Sequence, residues 1–137
     1  MTQASAGYSG TPLHRKLGVK PDSRVLITAA PPGFELDHIP PGAVVHTRAA
    51  GSSYDVILAF CPDARRLEAR LATAVGKLTT AGALWLAWPK RAGGVTTDLD
   101  ENVVRDHGLG AGLVDVKVAA VDATWGALKF VRRVRDR

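Results

Sequence analysis

The residues of this 137-residue chain best suited to hold a small molecule are Lys90 and Asp122, each close to tryptophan in Trp88-Pro89-Lys90 and Asp122-Ala123-Thr124-Trp125. Phe34 ends a third such segment, Ala29-Ala30-Pro31-Pro32-Gly33-Phe34. All three follow or join short apolar runs. If those runs are strands of an open α/β sheet, their carboxyl ends are where ligands bind. Phe34, Trp88, Lys90, Asp122, Thr124 and Trp125 then form a candidate rim. Aromatic faces with one cation and one carboxylate suit a small anionic or aromatic ligand. The competing reading makes Trp88 core and Trp125 a plug under a hairpin. Lys90 and Asp122 then become a solvated ion pair or turn residues.

Other reactive residues give weaker signals. Cys61 stands alone, which excludes an internal disulfide and a cysteine-rich zinc site. It follows a strand but has no histidine near it in sequence, so it reads as a small buried hydrophobe rather than a nucleophile. His14, His38, His46 and His107 lack metal-ligand spacing. Gly108-Leu109-Gly110-Ala111-Gly112 resembles half of a dinucleotide fingerprint. It follows a helix and precedes a strand, the reverse of what aims helix N–H groups at phosphate, and reads as a helix stop and loop. No catalytic residue, cofactor or metal is assigned.

The formal net charge is +5. Much of it lies in Arg132, Arg133, Arg135 and Arg137, and without that tail the domain is close to neutral. A tail without interleaved aromatics offers little for base stacking. The reading therefore disfavours nucleic acid and leaves a protein partner or a small ligand. No apolar run approaches the roughly 20 residues of a membrane span. Residues 1–10 do not read as a secretory signal, and a cytoplasmic home is the default expectation.

The elements that must position these residues form one domain over residues 11–134, after a flexible arm at 1–10 and before a basic end at 135–137. Thr11 to Gly18 predicts a short helix, with Thr11 as cap and Gly18 as stop. Arg24–Thr28, Gly42–Thr47, Tyr54–Phe60 and Ala83–Trp88 read as strands. Pro31, Pro32, Pro40 and Pro41 exclude a long helix between the first two. Leu67, Leu71, Ala74, Val75 and Leu78 share a face of a helix spanning about Asp63 to Leu78. A second helix, capped by Thr97 or Asp98 with Glu101 completing a capping box, runs to about His107. Val114–Val121 and Ala127–Val134 predict a closing antiparallel hairpin. The fold class is α/β, a shortened Rossmann-like, mostly parallel sheet of about six strands.

Two resemblances follow from these segments. Tyr54-Asp55-Val56-Ile57-Leu58 and Gly82-Ala83-Leu84-Trp85-Leu86, with the helices beside them and the hairpin, resemble the second half of class I methyltransferases. Leu17 to Ile27 resembles the lead into their first strand. That resemblance implies a glycine-rich turn after the first strand and an acidic residue after the second. Here Ala29 to Phe34 and Thr47-Arg48-Ala49 stand in those places, so binding of S-adenosylmethionine is not expected. Gly7 to Leu13, Ala30 to Phe34, Trp88-Pro89-Lys90, Thr97-Asp98-Leu99, Gly112 to Val118 and Asp122 to Gly126 resemble the DUF3052-type family of small bacterial proteins. That family implies no known activity. The expectation is a non-catalytic binding or interaction module, with two alternatives. One is a ligand binder or enzyme using the rim, the other nucleic-acid binding through the tail. Tyr8 to Leu13 is expected to fold over the rim or dock on a partner.

Overall fold

The computed structural model describes residues 10–137. The arm expected at residues 1–10, Tyr8 included, lies outside the described residues except for Gly10. The elements run α1 (Leu13–Leu17), β1 (Arg24–Thr28), β2 (Val44–His46), β3 (Tyr54–Phe60), α2 (Ala64–Val75), β4 (Leu78–Pro89), α3 (Glu101–Gly110), β5 (Leu113–Ala120) and β6 (Trp125–Arg132). They build one six-stranded sheet in the order β2-β1-β3-β4-β6-β5. β2, β1, β3 and β4 are parallel, and β6 is antiparallel to both β4 and β5. This is the expected class, a mostly parallel sheet closed by a hairpin.

Strand alternation sends side chains to two separate layers. Leu84, Leu86 and Trp88 of β4 face α2 and α3, joining Leu67, Leu71, Ala74 and Val104. Trp85 and Ala87 face the other way, toward α1 and the β1–β2 connection, joining Leu17, Val19, Val25 and Phe60. Trp85 is fully buried, and its Nε1 donates to the Leu17 carbonyl at 3.1 Å, which ties α1 to the sheet.

Several expected boundaries move, and at the start of β4 and the start of α3 tertiary partners override the local pattern. α2 stops at Val75, not Leu78, and β4 begins at Leu78, not Ala83. Leu78 sits on the apolar helical face in sequence, but Tyr54 pairs with it in the sheet and the Tyr54 N–H donates to the Lys77 carbonyl. The cap of α3 is Asp100, whose Oδ1 accepts from the Val103 N–H, not Thr97 or Asp98. Those two instead tether the loop to the start of α2. Asp98 Oδ1 accepts from Ala64 N–H, and the Thr97 hydroxyl donates to the Pro62 carbonyl. α3 runs on to Gly110, so the glycines expected as a stop lie partly inside the helix. Gly108 is required there because a Cβ would stand 2.0 Å from the buried Phe130 ring. Pro12, not Thr11, occupies the cap position of α1, while Gly18 closes that helix with φ of 83° as expected. The second strand is only Val44–His46, and the hairpin strands each begin earlier than expected.

Candidate functional site

β1 lies between β2 and β3, so the chain reverses direction across the sheet at the carboxyl end of β1. Such a switch point opens a crevice in doubly wound sheets. Four segments approach this edge: residues 29–34 after β1, 61–63 after β3, Lys90 after β4, and 121–124 before β6. β1 passes directly into Ala29, held at φ of 61°, a left-handed conformation that costs a non-glycine residue free energy. Pro31, Pro32 and Gly33 follow, and the Phe34 N–H closes a turn onto the Pro31 carbonyl at 3.1 Å. No helix intervenes between β1 and β2.

The turn delivers Phe34 into an aromatic row. Its ring centroid lies 5.0 Å from Phe60, edge to face, and Phe60 lies 5.1 Å from Trp125 in the same way. Phe60, the centre of the row, was absent from the sequence-predicted rim. Alternation from Val56 through Leu58 marks it as sharing their face. Beside this row, Pro12, Leu13, Gly33, Phe34, Glu35, Asp37, His38, Val121 and Asp122 line a cleft of about 470 Å³. Its floor is apolar and its polar side chains are mostly carboxylates.

The six rim residues are not all on one side of the sheet. Phe34 and Trp125 share the α1 face. Trp88 is buried in the α2/α3 layer on the opposite face. The spacing of three between Trp85 and Trp88 carries this information, because odd separations along a strand reverse the face. The Lys90 chain passes over Gly126, and its N–H donates to the Thr124 carbonyl at 2.7 Å. Asp122 Oδ1 accepts from the Thr124 and Trp125 N–H groups, both at 2.8 Å, and so shapes the hairpin turn. Asp122 is therefore a turn residue that also lines the cleft.

The remaining reactive groups have structural surroundings. Cys61 is fully buried, and burial pushes its thiol up to about 12, leaving almost no thiolate near neutral pH. His46 Nδ1 lies 2.6 Å from the hydroxyl of the buried Tyr54, which also accepts from the Ala50 N–H. Among the described residues, no group of three or more His, Cys, Asp and Glu side chains is placed to hold a metal ion. Arg132 donates to the Val75 and Leu78 carbonyls, both at 2.8 Å, and fastens the end of α2 to the start of β4. Arg137 Nε donates to the Arg132 carbonyl. Among the described residues, no helix is long and apolar enough to cross a membrane.

No protein-family model matches the chain, and no curated protein matches it. Solved structures do. A TehB-like SAM-dependent methyltransferase from Corynebacterium glutamicum superposes with a TM-score of 0.59 at 10% identity, over 93% of this chain and 90% of that one. A ribosomal protein L11 methylase from Lactobacillus delbrueckii gives 0.58 at 10% identity, over 88% and 75%. A methyltransferase from Pyrococcus furiosus gives 0.53 at 15% identity, over 98% and 88%. The fold is methyltransferase-like. At these identities the likeness is one of architecture, and the chemistry has to be judged from the residues at the strand ends.

Proposed function

We propose that this methyltransferase-like chain is a non-catalytic binding or interaction module that has no grip for S-adenosylmethionine. The observation that supports this is the connection from β1 to β2. Its turn carries Pro31 and Pro32, which have no N–H to offer, and the Phe34 N–H is already spent on the Pro31 carbonyl. No helix begins there, so no set of free helix N–H groups faces the crevice. β2 is followed by Thr47-Arg48-Ala49, with no carboxylate for a ribose. The donor set thus does not fit the cofactor, and no methyl transfer is derived for this chain. The resemblance to DUF3052-type bacterial proteins and a cytoplasmic setting are parts of the same reading.

A second reading keeps the strand-end cleft as a small-ligand site. It rests on the cleft's volume of about 470 Å³, within the range of ligand pockets, and on the mixed apolar and charged lining. In this reading Phe34 and Asp122 line the cleft and Trp125 backs it through Phe60, while Lys90 and Thr124 belong to the adjoining hairpin turn and Trp88, across the sheet, takes no part. The expected result of calorimetry with S-adenosylmethionine is no binding. Micromolar affinity for that cofactor would overturn the proposal. Thermal-shift screening with wild type and the Trp125→Ala variant tests the second reading, which requires a stabilising metabolite whose effect the substitution weakens.

A further inference from the structure

Beside the β5–β6 hairpin, the α1 face carries a second feature, which shares no lining residue with the strand-end cleft. β6 is paired so that Lys129 stands opposite Trp85 on one side and Lys117 on the other. Directly opposed residues of an antiparallel pair project from the same face. A row Trp85–Lys129–Lys117 therefore crosses three strands on the face occupied by α1. A bulge between Asp115 and Lys117 sets this row. It leaves Asp115 with Arg105 of α3 on the far face, at 3.0 Å, and turns Lys117 to the α1 side without its acidic neighbour. Like charges in directly opposed positions oppose sheet formation.

α1 and the turn after it add cations along the same channel. Arg15, Lys16 and Lys117 line a hollow of about 490 Å³ together with Thr11 and residues 118–120. Lys20 and Lys129 line a second hollow of about 420 Å³, which Asp22 and Asp55 also line. Each hollow takes one member of the Lys117–Lys129 pair. Among the described residues, none of the ion pairs involves Arg15, Lys20, Lys117 or Lys129. Residues 1–9 contain no Asp or Glu, so no acidic side chain from that segment neutralises these cations. Asp55 Oδ2 already accepts from the Arg24 N–H. Burial and the neighbouring lysines lower the pKa of Lys129, and burial and Lys90 lower that of Lys16. Lys16 Nζ donates to the Ala120 carbonyl at 3.3 Å, whereas Lys129 is held half-buried beside Lys117 and Lys20 at an electrostatic cost.

We infer that the channel between α1 and the β5–β6 hairpin, lined by Arg15, Lys16, Lys20, Lys117 and Lys129, is a binding site for a small, multiply charged phosphate ligand. Recessed hollows on both sides of the lysine pair suit a compact anion with charge at two or more points. They do not suit the convex surface of a duplex, and no exposed aromatic lines either hollow for base stacking. The ligand's charge relieves the repulsion between Lys117 and Lys129, which is the physical reason for the pair to face one another.

The test is calorimetric titration of the full chain with sodium tripolyphosphate at low salt, with melting temperature recorded in parallel. Micromolar binding that falls as salt rises is expected. The K117Q/K129Q double variant is expected to bind at least about tenfold more weakly, the loss that follows when charge-assisted hydrogen bonds disappear. Its melting temperature without ligand should equal or exceed that of wild type, which separates loss of a site from loss of the fold. R135Q/R137Q, altered in the tail, should bind as wild type does. Absence of heat with tripolyphosphate overturns the inference. So does binding that survives K117Q/K129Q, or binding that is lost in R135Q/R137Q. Affinity for a short DNA duplex through the same lysines without affinity for tripolyphosphate also overturns it. If K117Q/K129Q melts well below wild type, the single K20Q variant replaces it, and unchanged affinity there overturns the inference.

Discussion

On one face of the sheet, α2 and α3 lay 12 and 10 residues of helix over Leu26, Ile57, Leu84, Leu86 and Trp88. On the other, α1 supplies 5 residues, and Phe34 and Leu36 of the β1–β2 connection help cover Val25, Leu58, Phe60 and Trp85. The first face closes by close packing of apolar surface against the strands, and its hollow of about 460 Å³ lies between the helices themselves, beside Glu68, Leu71, Asp106 and His107. Its exposed side spends charge on local ties such as Arg105 with Glu101 and Asp115. The second face closes over only part of the strands, leaving a cleft with carboxylates at the carboxyl ends and hollows with lysines toward the hairpin. Both faces share the same strands, so the difference comes from the connections. Two αβ crossovers complete one layer, whereas the loop from β1 to β2 cannot complete the other.

That contrast can be broken most directly within the helical layer. Leu67→Ala removes a fully buried side chain beneath α2 and is expected to cost about 2–5 kcal/mol in chemical denaturation. Leu13→Ala, in the half-buried cover of the other face, should cost less than half as much. Equal costs would mean that both faces are packed alike. Gly108→Ala sharpens the same point. Alanine favours an exposed helix by about 1 kcal/mol over glycine. Here the collision with the buried Phe130 ring should reverse the sign, with a loss of about 1–3 kcal/mol. A more stable variant would show that α3 stands away from the sheet.

On the α1 face, Trp85→Phe deletes the bond to the Leu17 carbonyl and part of the ring. A loss of about 1–3 kcal/mol is expected, with α1 amides exchanging faster than those of α2 in hydrogen-exchange measurements. Lys129→Gln should give a small change of opposite sign, a gain of up to about 1 kcal/mol, readable as a raised melting temperature at low salt.

The remaining effects lie in the pH dependence and appear only in alkaline solution. Lys16 and Lys129 hold protons less tightly in the folded chain than at the ordinary lysine value of 10.5. Between the lowered values and 10.5 the unfolded chain binds more protons, so these two groups make stability rise as pH climbs through that window. Cys61 acts in the opposite direction. Its thiol shifts from 9.0 to about 12, so the folded chain keeps the proton longer and stability falls as pH rises above about 9. Denaturation curves across pH 8–11 should lose this fall in Cys61→Ala. Alkylation of Cys61 in the native chain should be far slower than that of a free thiol.

Much of the fold was legible because its signals are local. The prolines between β1 and β2 announced the missing helix, and the apolar run from Tyr54 to Phe60 announced a strand at the right residues. Less of the strand-end region was legible. Phe60, in the middle of the aromatic row, looked like one more apolar strand residue, and Trp88 was grouped with residues that lie across the sheet from it. The lysine channel was not legible at all. Lys20, Lys117 and Lys129 are far apart in sequence, and the net charge drew attention to the terminal arginines. Arg132, Arg133 and Arg137 of that tail serve as donors to backbone carbonyls.

By itself the sequence determined the class of fold, the parallel sheet with its closing hairpin, and the loss of two N–H donors at Pro31 and Pro32 after the first strand. Period, proline and glycine act within a few residues, so no partner is needed to read them. Tertiary structure alone decided where α2 yields to β4, why Gly108 must be glycine, on which side of the sheet each tryptophan lies, and which cations face each other. Those outcomes depend on register and on the bulge at Asp115–Lys117, and a shift of one residue there moves a side chain to the opposite face.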